Sequence, residues 1–270
     1  MKRDCSSANC MTLSLQYDRS GSGDYGNDRG SVRTMELPHT ETIAERVQSV
    51  LSTIRTAAEE CGRQPDSVRL VAATKTVAVD RIRIGIGAGL SILGENRVQE
   101  ALPKVTALKE EPVRWHFIGQ LQRRKVRSVV GVFDMIHSVD SLELAQEIDR
   151  RAMEAGCLQD ILLEVNIGGE PTKAGFQPED LKSVVPTMAA LPHIRVKGLM
   201  TIPPPADEAE SVRGYFRRLR ELAESIAAQK IAGVTMDELS MGMSNDYMVA
   251  IQEGATFVRV GSAIFGARDV

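Results

Sequence analysis

The sequence predicts an α/β fold: a single (β/α)8 TIM barrel with one extra helix ahead of it. Three observations lead there. Short apolar runs bounded by turn signals recur eight times between Val68 and Gly266, and stretches of helical periodicity separate them. No long linker or composition shift interrupts residues 40 to 268. The length of 270 residues suits one barrel of about 250 residues.

The elements follow in order. Ile43, Val47, Val50, Leu51, Ile54 and Ala58 fall at helical spacing, and Cys61-Gly62 ends that extra helix. VRLVAATKT (68–76) is a strand apolar throughout, as in a parallel sheet covered on both faces. Asp80 is placed to cap a helix through Ile86, and GLSILGENRVQEAL holds a strand, the turn Gly94-Glu95-Asn96 and a further helix. VRWHFIG (113–119) is a strand leading into a helix over 120–130. FDMIHSV (133–139) is another, with Asp140-Ser141 capping a helix to Ala155. DILLEVNIG (160–168) precedes a Gly-rich loop and a helix near 178–190. IRVKGLMTI (194–202) ends at Pro203-Pro204-Pro205 and is followed by the stripe Val212, Tyr215, Phe216, Leu219, Leu222, Ala223, Ile226. MDELSMGMS ends a seventh strand before a short helix over 245–253, and ATFVRVGSAIFG is the eighth.

Composition narrows the function. A net charge of −3 predicts no attraction to nucleic acid or to an anionic membrane. No apolar run approaches the ~18 residues a membrane span needs. The four cysteines form no CxxC pair and have no histidine at ligand spacing, so neither a disulfide framework nor a metal site is expected, and the cytoplasm is the expected location. Residues 1–38, with the Gly/Ser/Asp-rich run RSGSGDYGNDRGS, are expected to be a disordered extension, and 39–270 the barrel domain.

In a barrel the loops after the strands meet at one mouth. Lys75 stands just past the first strand; it reaches solvent, pairs with an anion, or gives up its proton. MGMSND places Gly242, Ser244 and Asn245 between a strand and a helix start, and RVGSAIFG does the same with Gly261 and Ser262. Backbone N–H groups at such turns can hold a phosphate, helped by a helix dipole, although a single Gly-Ser pair is more often a cap or turn. A lysine opposite a phosphate cup suggests pyridoxal 5′-phosphate held as a Schiff base on Lys75; a sugar phosphate touched by Lys75 is the reading without that cofactor. Arg259 cannot accept a proton, so a pyridine nitrogen facing it stays neutral and makes a weak electron sink. An interior ion pair with Glu164 or Glu95 is its other reading. Asn96 bonds the ring oxygen or caps its helix. Met200 packs on the ring or in the core. His116 and His137 are bases or core histidines, and Arg123, Arg124, Lys125 and Arg127 form a basic cluster that is a solvated face or a patch for a partner.

The stretches VAATKT, GENRVQE, WHFIGQLQRRK, EVNIGGEPTKAGF, GLMTI, LSMGMSNDY and VRVGSAIFGAR resemble, in order, the YggS/PROSC-type pyridoxal phosphate homeostasis proteins. The resemblance spans residues 68–268. It implies a barrel of the alanine racemase N-terminal type with the cofactor on Lys75, phosphate contacts around Ser244, Gly261 and Ser262, Arg259 near the ring nitrogen and Asn96 nearby. The residues before His39 fall outside the family pattern. Racemases and decarboxylases of this kind carry a second domain after the barrel, whereas this sequence stops at Val270. The resemblance therefore implies a monomeric carrier or buffer of pyridoxal phosphate with little or no turnover and no catalytic residue. Its partners would be the cofactor and the apoenzymes that receive it; an amino acid racemase is the alternative.

Overall fold

Eight short parallel strands close on themselves in sequential order, β1-β2-β3-β4-β5-β6-β7-β8, each hydrogen-bonded to the next and β8 to β1. The computed structural model describes residues 41–170 and 172–266. The expected disordered segment 1–38 lies outside the described residues.

The strands are β1 (Arg69–Ala73), β2 (Ile92–Glu95), β3 (Arg114–Phe117), β4 (Met135–Val139), β5 (Gln159–Glu164), β6 (Ile194–Met200), β7 (Val234–Met243) and β8 (Phe257–Val260). The helices are α1 (Ile43–Glu60), α2 (Val79–Gly87), α3 (Val98–Ala107), α4 (Leu142–Ala155), α5 (Leu181–Ala189), α6 (Arg213–Ala227), α7 (Tyr247–Gln252) and α8 (Ser262–Phe265). The predicted (β/α)8 barrel with an additional leading helix is the observed architecture.

Strand alternation divides the core in two. Outward residues such as Leu70, Ala72, Leu93, Phe117 and Ile136 pack under the helices in one large cluster. Inward residues Val71, Ile92, Ile118, Met135, Leu162, Met200 and Phe257 fill the barrel. The extra helix α1 packs on α2, α7 and α8, beside the seam between β8 and β1. A capping box starts it: Thr42 Oγ1 accepts from the Glu45 N–H (3.2 Å) and Glu45 Oε2 accepts from the Thr42 N–H (2.7 Å).

Three local expectations need correction. Asp80 does not cap α2; the N-cap is Ala78, and Asp80 sits in the first turn, 3.6 Å from Arg83. The helix expected over 120–130 is a 3-10 segment at Arg123–Ser128, because Val126 is its only buried residue and one apolar anchor cannot seat a longer helix. The helix after β7 starts at Tyr247 rather than Asn245, since Asp246 Oδ1 accepts from the Met243 N–H (2.6 Å) and holds residues 243–246 in a turn.

Candidate functional site

Lys75 lies two residues beyond β1 in a tight turn, closed by the Val77 N–H donating to the Thr74 carbonyl (3.0 Å). Thr76, next to it, has a φ of 62°, which a β-branched residue adopts only under constraint. The constraint comes from behind. Thr74 is fully buried; its hydroxyl donates to Glu95 Oε1 (2.6 Å), and its carbonyl accepts from Lys104 Nζ (2.6 Å). Lys104 also pairs with Glu95 at 2.8 Å. A buried ion pair between β2 and α3 therefore anchors the turn that presents Lys75. Lys75 itself is half-buried and has no ion-pair or hydrogen-bond partner for its ammonium among the described residues.

The loop after β8 comes to the same place. A Cβ on Gly261 would lie 3.1 Å from the Ala73 carbonyl oxygen and 3.2 Å from its Cβ, so glycine lets this loop touch the end of β1, two residues from Lys75. The Gly261 N–H donates to Ser244 Oγ (3.4 Å), joining the β7 and β8 loops. Ser262 is exposed and opens α8, so the amides of that first turn lack intrahelical acceptors. Because α7 has six residues and α8 four, helix dipoles contribute less than the sequence suggested. The loop amides and the Ser262 hydroxyl are the donors available.

Asn96 follows β2, half-buried, and its amide has no hydrogen-bond partner among the described residues. Lys75, Asn96, Ser244, Gly261 and Ser262 thus gather at the mouth formed by the strands' carboxyl ends. Met200 is 1% exposed within the interior cluster, at the floor of that mouth.

Arg259 is buried beneath the mouth. Its Nη1 donates to Ser240 Oγ (2.6 Å) and its Nη2 to the Thr201 carbonyl (2.9 Å). Burial lowers its pKa to about 10, with Glu164 and Asp246 opposing the shift, so it stays charged at neutral pH. The interior ion pair is not formed: Glu95 is engaged with Lys104, and Glu164 acts on Arg259 only through space. Glu164, at the end of β5, is pushed up to about 7 by burial and by the like charge of Asp140, with Arg259 pulling the other way. The fold therefore resists ionising Glu164, and the cost appears between the ordinary value of 4.5 and about 7. In Glu164→Gln the stability relative to wild type should rise across that window by roughly 2 kcal/mol and then level off, as urea melts at pH 4.5, 6 and 8 would show.

His116 and His137 stand away from this mouth. They lie on β3 and β4, 2.9 Å apart (Nδ1 to Nε2), and burial keeps both neutral, His116 with its pKa lowered to about 3. Neither is a base facing Lys75. In the basic cluster Arg123, Arg124 and Arg127 are exposed. Sequence reasoning missed the Thr74–Glu95–Lys104 brace and the roles of Ser240 and Thr201. A polar residue at every second position of a strand end is the signal that points to Ser240 beside Arg259.

The arrangement defines a class: an α/β barrel with a lysine on a braced turn facing two amide-rich loops over a buried arginine. Residues 47–269 match the family described as alanine racemase, N-terminal domain. The chain belongs to that family. It is 48% identical over 224 residues to the pyridoxal phosphate homeostasis protein of Aquifex aeolicus, covering 83% of this chain and 97% of that one. It is 42% identical over 228 residues to the protein of the same name from Pseudomonas aeruginosa, covering 84% and 96%. Among solved structures, PipY of Synechococcus elongatus with PLP bound superposes with a TM-score of 0.73 at 38% identity, covering 83% of this chain and all of that one. An alanine racemase from Clostridium difficile shares the fold at a TM-score of 0.64 and 16% identity, with 56% of its length covered. No helix among the described residues is long and apolar enough to cross a membrane, and none of their side chains form a metal-ligating group.

Proposed function

We propose that this protein binds pyridoxal 5′-phosphate covalently through Lys75 and serves its homeostasis, holding and releasing the cofactor with little or no turnover. The observation that carries the reading is the convergence of an unpaired Lys75 with the Gly261–Ser262 loop, at the Ala73 contact. The residues present fit the group. The orphan amides at the start of α8, with Ser244 and Ser262, would hold its phosphate; Asn96 would bond its ring; Met200 would lie under it; Arg259, which cannot accept a proton, would stand by the ring nitrogen. The cofactor supplies an aldehyde carbon and an electron-withdrawing ring. Arg259, charged and donating to Ser240 and Thr201, would leave a ring nitrogen beside it unprotonated and so weaken the withdrawal. Relatives that this chain matches over nearly their whole length bear the homeostasis name.

The purified protein should absorb in the visible, and borohydride should fix the added mass on the Lys75 peptide. Lys75→Ala should remove both signals, and a wild type that stays colourless with added pyridoxal phosphate overturns the reading. A second reading, racemase-type proton transfer, is favoured by the half-buried Glu164 carboxyl at the end of β5, which burial pushes up to about 7. Exchange of the α-proton of L-alanine in deuterated water would support it. The barrel domain at 39–270, action as a cytoplasmic monomer, and transfer to apoenzymes belong to the same proposal; sedimentation and transfer to an added apoenzyme test the last two.

A further inference from the structure

The amino ends of the strands, opposite Lys75, surround a cavity of about 430 Å3. Four cations and three carboxylates line it. All three carboxylates are engaged: Glu238 with Arg69 and Thr256, Asp160 with Arg195 at 2.5 Å, and Asp134 with the Trp115 N–H at 2.8 Å. Two cations, Arg114 and Lys197, have no hydrogen-bond or ion-pair partner for their side chains among the described residues. Asp134 pairs with no cation among the described residues, so the wall keeps a net single positive charge: two unpaired cations against one carboxylate. Its apolar part includes Phe257, whose face carries the Arg69 guanidinium at 4.0 Å.

His116 also lines the cavity, although it is only 2% exposed. Its ring belongs to a chain in which only one polarity gives the Ser240 hydroxyl proton an acceptor. Arg259 Nη1 can only donate to Ser240 Oγ (2.6 Å). The Ser240 hydroxyl then has one acceptor among the described residues, His137 Nδ1 at 2.9 Å. His137 therefore carries its proton on Nε2 and donates to His116 Nδ1 at 2.9 Å. His116 in turn carries its proton on Nε2, the nitrogen left without a protein partner. Every hydrogen bond points from Arg259 toward the cavity, and the chain ends in an N–H.

We infer that this mouth is a binding site for a small anion bearing a phosphate or carboxylate group, held by Arg114, Lys197 and the Nε2–H of His116. Arg114 offers a planar fork for two oxygens, Lys197 a point charge, and His116 a neutral donor at the floor. Ion pairing for stability accounts for Arg69 with Glu238 and Arg195 with Asp160, but not for two unpaired cations around an inward N–H. An anion accepting from His116 polarises the chain through His137 and Ser240 to Arg259. The consequence for a cofactor beside Arg259 rests on the function proposed above; the anion site does not.

Trp115, the sole tryptophan, stands between the cavity residues Arg114 and His116, and its backbone N–H donates to Asp134, so movement of this strand on binding is read by its fluorescence. Titration of the purified full chain with inorganic phosphate, and separately with succinate, should give a saturable change for at least one of them. The Arg114→Gln/Lys197→Gln variant should weaken that binding roughly 10- to 100-fold, while Ser244→Ala/Ser262→Ala should still show it. Ring ¹⁵N signals should show the Nε2–H form for both His116 and His137, with His116 shifting on titration. No saturation with either anion, loss in the serine variant instead of the Arg114/Lys197 variant, or an Nδ1–H form of His116 overturns the inference. A protein that shows these results yet stays colourless with pyridoxal phosphate would retain this site and lose the cofactor reading.

Discussion

Lys104→Met should lower the unfolding free energy by about 3–5 kcal/mol, the cost of removing one partner from a buried ion pair. Lys104 is 8% exposed and Glu95 0%, so water cannot replace the lost ammonium. The Glu95 carboxylate would keep only the Thr74 hydroxyl (2.6 Å), because its Oε2 already has no partner among the described residues. The Thr74 carbonyl would lose its 2.6 Å donor as well, loosening the turn that holds Thr76 at a φ of 62°. Two readouts follow: a lower urea midpoint, and weaker attachment of pyridoxal phosphate at Lys75. The Glu95→Gln/Lys104→Met double variant should recover much of the stability, since no uncompensated ion remains. A single variant costing under ~1 kcal/mol would show that the pair does not brace the turn.

That brace marks the boundary of what the sequence reveals. Strands such as Leu70–Ala72 and Ile161–Leu163 are legible because both faces are covered and apolar residues run without a break. The first helix is legible because its buried stripe has period 3.6. The mouth is legible as a set of strand ends, since closing the barrel brings all of them to one rim, and this is how Lys75, Asn96, Ser244, Gly261 and Ser262 were assembled. Pairings across the barrel wall are another matter. Lys104 and Glu95 meet because α3 folds back over β2, and nothing in a nine-residue separation distinguishes that from two surface charges. His116 and His137 were ambiguous for the same reason. Their contact follows from register, His116 lying opposite Met135 so that His137 falls on the same interior side. Residues 120–130 mislead because a run of basic residues looks like a helix face, while only Val126 of Arg123–Ser128 is buried.

Gly119→Ala should also be severe, and it tests the site rather than the brace. A Cβ at Gly119 would fall 2.3 Å from the Asn96 carbonyl oxygen and 2.6 Å from its Cα. These are backbone atoms, so no side chain can rotate away; the β2 and β3 ends must separate. The Gly119 carbonyl is itself fixed by the Ser138 hydroxyl, which donates to it at 2.5 Å, so the β3 side cannot yield freely. Overpacking of this kind costs about 3 kcal/mol. The movement falls on Asn96, so pyridoxal phosphate should bind more weakly than the stability loss alone requires. Gly87→Ala is the matched control: its Cβ would meet nothing within 4 Å at the end of α2, and it should be neutral or slightly stabilising. Cofactor titrations of both variants, at a temperature where each is fully folded, separate displacement of Asn96 from general loosening. If Gly119→Ala binds the cofactor as wild type does while melting earlier, Asn96 is a structural residue of the β2 end and not part of the site.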